Sequence, residues 1–329
     1  MTDESSVSGD DWVPGQTAGG GGAGAALAAD AEIPNPGAHY LDGVEPTPGV
    51  SKPDPILVAD GVTRRFGGLT AVDVDHLEVQ RGIITGLIGP NGAGKTTFFN
   101  LLTGFDTPNE GRWTVDGDDV SGKPPHVLAR KGVVRTFQLT KALSKLSVLD
   151  NMKLGAVGQT GEKLVNSIFS FRWSKEERAV EERARQLLDR FNMAHMADEY
   201  AGTLSGGQRK LLEMARALMT QPRLVMLDEP MAGVNPALTQ SLLGHVKQLR
   251  AEGMSVIFVE HDMDVVRDIS DWVVVMAEGS IVAEGPHASI VANPQVIDAY
   301  LGRHHGEALE GRDGGDDDAP DEIWRANDE

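Results

Sequence analysis

Ile83-Ile84-Thr85-Gly86-Leu87-Ile88-Gly89-Pro90-Asn91-Gly92-Ala93-Gly94-Lys95-Thr96-Thr97 is the stretch on which the rest of the chain turns. Its first six residues read as a short buried strand, and a helical pattern begins at about Gly94. Between them stands G-x-x-x-x-G-K-[ST], placed where a strand runs into a helix. Glycines let a backbone wrap a phosphate chain without Cβ clashes, and the freed N–H groups at a helix N-terminus form a nest for anionic oxygens. Lys95 brings a point charge for β- and γ-phosphates, and the Thr96 hydroxyl suits Mg²⁺.

A second motif lies downstream. Leu224-Val225-Met226-Leu227-Asp228-Glu229 is four apolar residues ending in two acids. An apolar strand that ends in a carboxylate delivers it to the edge where open α/β sheets bind ligands. Alone the acids could simply end a strand at the surface. With a phosphate loop upstream, Asp228 suits a metal shell and Glu229 a base for an attacking water. The two motifs define a P-loop ATPase or GTPase and do not say which.

Around them the pattern alternates between strands and helices. Residues 56–58, 77–79, 255–259 and 272–276 read as further strands. Continuous apolar runs between helices predict strands covered on both faces, hence a largely parallel sheet. Residues 140–201 differ: Val180, Ala184, Leu187, Leu188 and Phe191 recur at helical spacing. They predict a helical subdomain inserted into the α/β core.

Leu204-Ser205-Gly206-Gly207-Gln208, twenty residues before Asp228, precedes a helix expected over residues 209–219. Ser205 is a suitable N-cap, and the two glycines free the first N–H groups to approach an anion. Here the sequence resembles the ABC ATPase family, whose signature is LSGGQ. The resemblance implies a P-loop (RecA-like) core with a mainly parallel sheet, a small antiparallel β part and an inserted helical subdomain at about 140–203. It covers residues 56–302. Further roles follow from it. Gln138 looks like the glutamine that touches Mg²⁺ at the joint with the helical subdomain. His261 looks like the switch histidine at the γ-phosphate, although a lone histidine after a strand is more often structural. Phe66 sits where the family stacks an aromatic on adenine, although on the residues alone it reads as core. The nucleotide site implied is therefore Phe66, Gly89 through Thr97 (Pro90, Asn91, Gly92, Ala93, Gly94, Lys95 and Thr96 between), Gln138, Asp228 and Glu229, with Ser205, Gly206, Gly207 and Gln208 contributed across a dimer. ATP and Mg²⁺ are the implied cofactors, with Thr96, Gln138 and Asp228 around the metal.

After Pro230, where the family commonly reads S-A-L-D, this chain has Met231-Ala232-Gly233-Val234-Asn235-Pro236. That text is similar to the ATP-binding subunits of branched-chain amino-acid importers, as are Arg65-Phe66-Gly67-Gly68-Leu69, Val134-Arg135-Thr136-Phe137-Gln138 and Glu260-His261-Asp262-Met263. An aspartate contact across the dimer would then fall to Asn235. The resemblance implies separate transmembrane permease subunits, a second ABC ATPase subunit of the same or a sister kind, and an extracytoplasmic binding protein acting indirectly. It also implies a peripheral place on the cytoplasmic face of the membrane. Near relatives handle urea, short amides or, in export, lipopolysaccharide. Leu139, Leu143, Leu146 and Val148 would offer a permease loop apolar contacts, or face the subunit's own core. A soluble ABC ATPase of DNA repair or translation would call for a coiled-coil insertion or tandem ATPase domains, and this chain has one phosphate loop and no long heptad run.

Composition agrees with this reading. The formal net charge of −19 is concentrated at the ends. Residues 1–54 carry nine acids against Lys52, and residues 304–329 carry ten against Arg312 and Arg325, which leaves the middle near neutral. The net charge alone would seem to argue against anionic partners, but the near-neutral middle can host a nucleotide with locally placed cations; no nucleic-acid partner is expected. The absence of cysteine rules out disulfides and thiolate chemistry. Apolar runs fall far short of the roughly 20 residues of a membrane span, and the acidic start is unlike a signal peptide. Residues 1–53, rich in Gly, Ala, Pro and Asp, and the acidic tail 304–329 are expected to lack fixed structure, flanking an ATPase domain at 54–303.

Overall fold

The computed structural model describes residues 33–136, 144–156 and 170–300 of the 329. Two sheets organise them. The larger has six strands: β3 (Ile84–Ile88), β6 (Val133–Arg135), β7 (Leu224–Asp228), β8 (Ser255–Val259), β9 (Trp272–Ala277) and β10 (Ser280–Gly285), in the order β10-β9-β3-β8-β7-β6. The pairings β9·β3, β3·β8, β8·β7 and β7·β6 are parallel, and only β10 runs antiparallel. The smaller sheet is antiparallel, in the order β2-β1-β4-β5, from β1 (Pro55–Phe66), β2 (Leu69–Gln80), β4 (Glu110–Val115) and β5 (Asp118–Asp119).

The continuous apolar runs have the cause expected of them. Successive strand residues point to opposite faces, so a strand covered on both sides needs apolar residues throughout. Ile84 and Ile88 of β3 enter one core, and Ile83 and Leu87 beside them enter the other. In β7, Val225 and Leu227 face the first core while Leu224 and Met226 face the second. The second core lies against α1 (Lys95–Leu102) and the antiparallel sheet, through Phe98, Phe99 and Trp113. The first is closed by α3 (Val148–Lys153), α4 (Ser170–Arg190), α5 (Gly206–Leu218), α6 (Pro236–Ala251) and α7 (Met263–Ile269). Two short helices, α2 (Pro125–Arg130) and α8 (His287–Val291), complete the set.

Helices α3, α4 and α5 fall in or beside the region predicted to be helical. Ala184, Leu187, Leu188 and Phe191 bury the predicted face of α4. Val148 is fully buried in that core, so it does not offer itself to a partner. Leu139, Leu143 and Gln138 lie outside the described residues.

The N-terminal expectation needs correction where the chain is described. Residues 33–53 were expected to have no fixed structure, yet Lys52 is buried. Its Nζ donates to Glu284 Oε2 at 2.7 Å and stands 4.8 Å from the Trp272 ring centroid. Glu284 also accepts from Trp272 Nε1 at 2.8 Å and from the Val50 N–H at 3.1 Å. Asn35 Nδ2 donates to Asp271. A glycine- and proline-rich composition hides such anchoring because the partners are more than 200 residues away. Residues 1–32 and 301–329 lie outside the described residues.

Candidate functional site

The five parallel strands β9, β3, β8, β7 and β6 end at one edge of the sheet, and Gly89 to Thr97, Asp228, Glu229 and His261 follow β3, β7 and β8 there. The loop after β3 is built around glycines that nothing else could replace. Gly89 has φ +146, and a Cβ on it would fall 2.1 Å from the Met276 carbonyl oxygen. Gly94, at φ +99, caps α1, and a Cβ there would fall 2.3 Å from the Ala71 oxygen. The loop is thus held against β9 on one side and β2 on the other. A further hydrogen bond, from Gly279 N–H to Ala93 O, ties it to the β9–β10 turn. Lys95 Nζ donates to the carbonyls of Gly89 and Pro90, the latter at 3.0 Å. This folds the ammonium across a loop shaped to receive anionic oxygens.

Thr96, Thr136, Lys210, Glu213, Asp228 and Glu229 share one cleft of about 290 Å³. Asp228 closes β7, and its Oδ2 accepts from Arg135 on the neighbouring β6. Glu229 follows with φ +44, a left-handed backbone uncommon for a residue with a Cβ. Its N–H donates to Val259 O at 3.0 Å, and its carbonyl accepts from Lys210 Nζ at 2.9 Å. Among the described residues no group of three or more His, Cys, Asp or Glu converges as a metal cage. One carboxylate and one hydroxyl facing a phosphate loop fit Mg²⁺, which keeps several waters and takes substrate phosphates as ligands.

The remaining predicted residues are arranged as follows. Phe66 ends β1 at 49% exposure, so it is not a core residue. Arg64, held by Asp106 at 2.8 Å, covers one face of its ring at 4.5 Å. His261 is exposed beyond the end of β8, its Nδ1 3.8 Å from Glu260 Oε2. Burial raises the carboxyl pKa of Glu260, which accepts the Met231 N–H at 2.9 Å. Ser205 caps α5 and forms a capping box with Gln208, so the helix starts at Gly206, three residues earlier than its pattern suggested. Gly206 is exposed with open space around it, whereas Gly207 packs on α6, where a Cβ would meet Leu238. None of these signature residues lines the cleft that holds Asp228 and Glu229. Asn235 caps α6 by accepting the Leu238 N–H at 2.9 Å, which occupies its oxygen.

Four polar residues in or beside the cleft were not predicted. Arg135 and Thr136 were legible only within the family-like Val134–Gln138 string, and Lys210 and Glu213 only as polar positions three apart on one helix. Glu213 is buried, its Oε1 has no hydrogen-bond partner among the described residues, and burial pushes its carboxyl up to about 7 against the opposing charges of Arg216 and Lys210.

A parallel sheet with a glycine-built anion loop after one strand and paired acids after another defines a P-loop nucleotide hydrolase. The family is fixed by comparison. Residues 72–232 match the ABC transporter family model, and residues 280–306 match the model of the branched-chain amino acid ATP-binding cassette transporter. A probable branched-chain amino acid transport ATP-binding protein LivG of Archaeoglobus fulgidus is 43% identical over 252 residues, 77% of this chain and 97% of that protein. The high-affinity branched-chain amino acid transport ATP-binding protein BraF of Pseudomonas aeruginosa is 43% identical, over 75% and 98% of the two chains. A solved nucleotide-free ATP-binding cassette from an ABC transporter is 38% identical with a TM-score of 0.67, covering 75% of this chain and 98% of that one. Another solved cassette, in its ADP conformation, has the same identity and TM-score. The chain belongs to the ABC transporter family as its ATP-binding, ATP-hydrolysing component. Among the described residues no helix is long and apolar enough to cross a membrane, and a transporter of this family works through membrane permease subunits.

Proposed function

We propose that this chain powers the import of branched-chain amino acids through separate permease subunits, from the cytoplasmic face of the membrane. The observation that carries the reading is the cleft in which Thr96, Asp228 and Glu229 meet beside the glycine-built loop. The cargo is inferred from relatives of near-equal length that are named for branched-chain amino acid transport.

In this reading the N–H groups of residues 89–97 and the Lys95 ammonium bind the phosphates. Phe66 offers the face not covered by Arg64 to adenine. Thr96, Asp228 and Gln138 would hold Mg²⁺, which when bound would supply charge neutralisation at the phosphoryl oxygens. Glu229 accepts a proton from the attacking water, and His261 contacts the γ-phosphate. Ser205, Gly206 and Gly207 do not line their own cleft, and in this reading that end of α5 serves a second ATPase subunit, which returns the same contacts. ATP then holds the dimer closed because both faces bind its anionic oxygens. Hydrolysis and phosphate release shift the population to the open form, which the permeases sense. A sister ATPase is the preferred partner, and an extracytoplasmic binding protein delivers the cargo.

The test is co-purification from membranes of the Glu229→Gln variant with ATP, with every partner identified by mass. Two permeases and a second LSGGQ subunit are expected, together with ATP-dependent leucine uptake by the unmodified assembly in vesicles. Recovery of a self-pair with no membrane protein would refute the transport reading.

A further inference from the structure

Glu229 is the residue on which hydrolysis is expected to depend, and it stands in a backbone conformation that costs energy. Residues held in the left-handed region carry a backbone cost and persist only where their surroundings over-determine them. At Glu229 the surroundings are few. Its N–H is fixed by Val259 O, and its side chain is exposed. Its carbonyl accepts a turn hydrogen bond from the Ala232 N–H at 3.2 Å and a shorter one, at 2.9 Å, from Lys210 Nζ. The lysine contact is the one restraint among these that comes from outside the β7 and β8 strand ends and the turn that follows. Lys210 is half-buried, and that burial lowers its pKa, so the ammonium is placed there at a solvation cost rather than left free in water.

We propose that Lys210 is a positioning residue for Glu229 and that, through it, the signature helix couples the two ATP sites of the dimer. This rests on the reading of Glu229 as the base and of the signature as a contact to the partner's ATP. Lys210 lies four residues after Gly206 on α5, one turn along the same face of the helix, a rise of about 6 Å. The first turn of α5 carries Ser205 and Gly206, exposed and available to the partner's nucleotide. The next turn holds the Glu229 carbonyl of its own site. A small rotation or translation of α5 when the partner's γ-phosphate arrives or leaves would therefore move the anchor of Glu229 in the other site.

The measurement uses the full chain assembled with its partners, comparing Lys210→Met, Lys210→Arg and Glu229→Gln. Three quantities are read: steady-state ATP hydrolysis, affinity for a fluorescent ATP analogue in EDTA, and amide exchange across residues 228–234. Lys210→Met is expected to lower kcat roughly 10-fold with KM for ATP within about twofold. It should also speed exchange in the 229–232 turn and leave metal-free nucleotide affinity unchanged. Lys210→Arg, which keeps a donor and the charge, should recover most of the rate. A kcat within about twofold of the parent for Lys210→Met, while Glu229→Gln is inactive, overturns the proposal. Parent-like turnover by Glu229→Gln instead overturns the reading of Glu229 itself. If Lys210→Met does not fold, Lys210→Gln, with a shorter donor, carries the same test with the same outcomes.

Discussion

Arg135 and Asp228 are paired beside the cleft that Asp228 lines. The guanidinium is 7% exposed and donates to Asp228 Oδ2 from one nitrogen and to Asn100 Oδ1 at 2.6 Å from another. It thereby ties three elements that must agree for a nucleotide to bind: β6, the end of β7, and the helix that starts at the phosphate loop. Asp228 also lines the cleft. Removing Arg135 leaves a partly buried carboxylate uncompensated. Arg135→Met should lower stability by about 2 kcal/mol, less than a fully buried pair because Asp228 is 27% exposed. The double variant Arg135→Met, Asp228→Asn should recover part of that loss in chemical denaturation. Additive losses would show that the pair carries no coupling.

The phosphate loop makes a sharper prediction. A methyl on Gly89 would collide with a backbone carbonyl, which cannot rotate aside as a side chain can. Gly89→Ala should lose ATP binding more than about 10-fold and melt earlier. In a thermal scan the parent should be stabilised by excess ATP according to RT ln(1 + [L]/Kd), and the variant should not shift. An equal ATP-dependent shift in both would contradict the assignment of the loop.

Glu213 sets a pH dependence. Its carboxyl ionises near 4.5 in the unfolded chain and near 7 in the fold, because burial disfavours the charged form. Between those values the native state holds a proton that the unfolded state has lost. Stability from this group is therefore full below about pH 4.5 and declines as pH rises through 7. The slope is at most about 1.4 kcal/mol per pH unit. Glu213→Gln should flatten the stability profile across that window, as measured by denaturant midpoints at several pH values. Parallel profiles would mean that the carboxylate is already solvated or paired.

The anchoring of residues 33–53 is also testable. Lys52 and Glu284 are both fully buried, and their loss as a pair should differ from loss of one member. Lys52→Met should cost roughly 3 kcal/mol and Lys52→Met, Glu284→Gln less, because the single variant strands a buried carboxylate. Melting temperatures of the two variants check the order.

How legible the molecule was depended on the range of each interaction. The β3 loop, the apolar strands β7, β8 and β9, and the α5 cap were readable because alternation, turns and capping act within a few residues. The first turn of α5 was missed because glycine is a poor helix former; Ser205 and Gln208 supply the capping box that holds it in place. The strand β4, the hairpin partner β10 and the long helix α6 passed unremarked, since none carries a motif. The ion pairs of Lys52 with Glu284 and of Arg135 with Asp228 join residues 232 and 93 positions apart, and no local pattern encodes them. The site followed the same rule. Roles could be assigned to residues on the phosphate-loop, paired-acid and signature strings, whereas the contacts of Arg135 with Asp228 and of Lys210 with Glu229, and the burial of Glu213, emerged only from the folded geometry.

In the proposed mechanism Glu229, the acid after β7, drives ATP hydrolysis at this cleft. Steady-state ATP hydrolysis by the Glu229→Gln variant tests it most directly. An amide cannot accept the proton of the attacking water, so turnover should fall by about 10²-fold or more while ATP remains bound. Turnover equal to that of the parent would contradict the account.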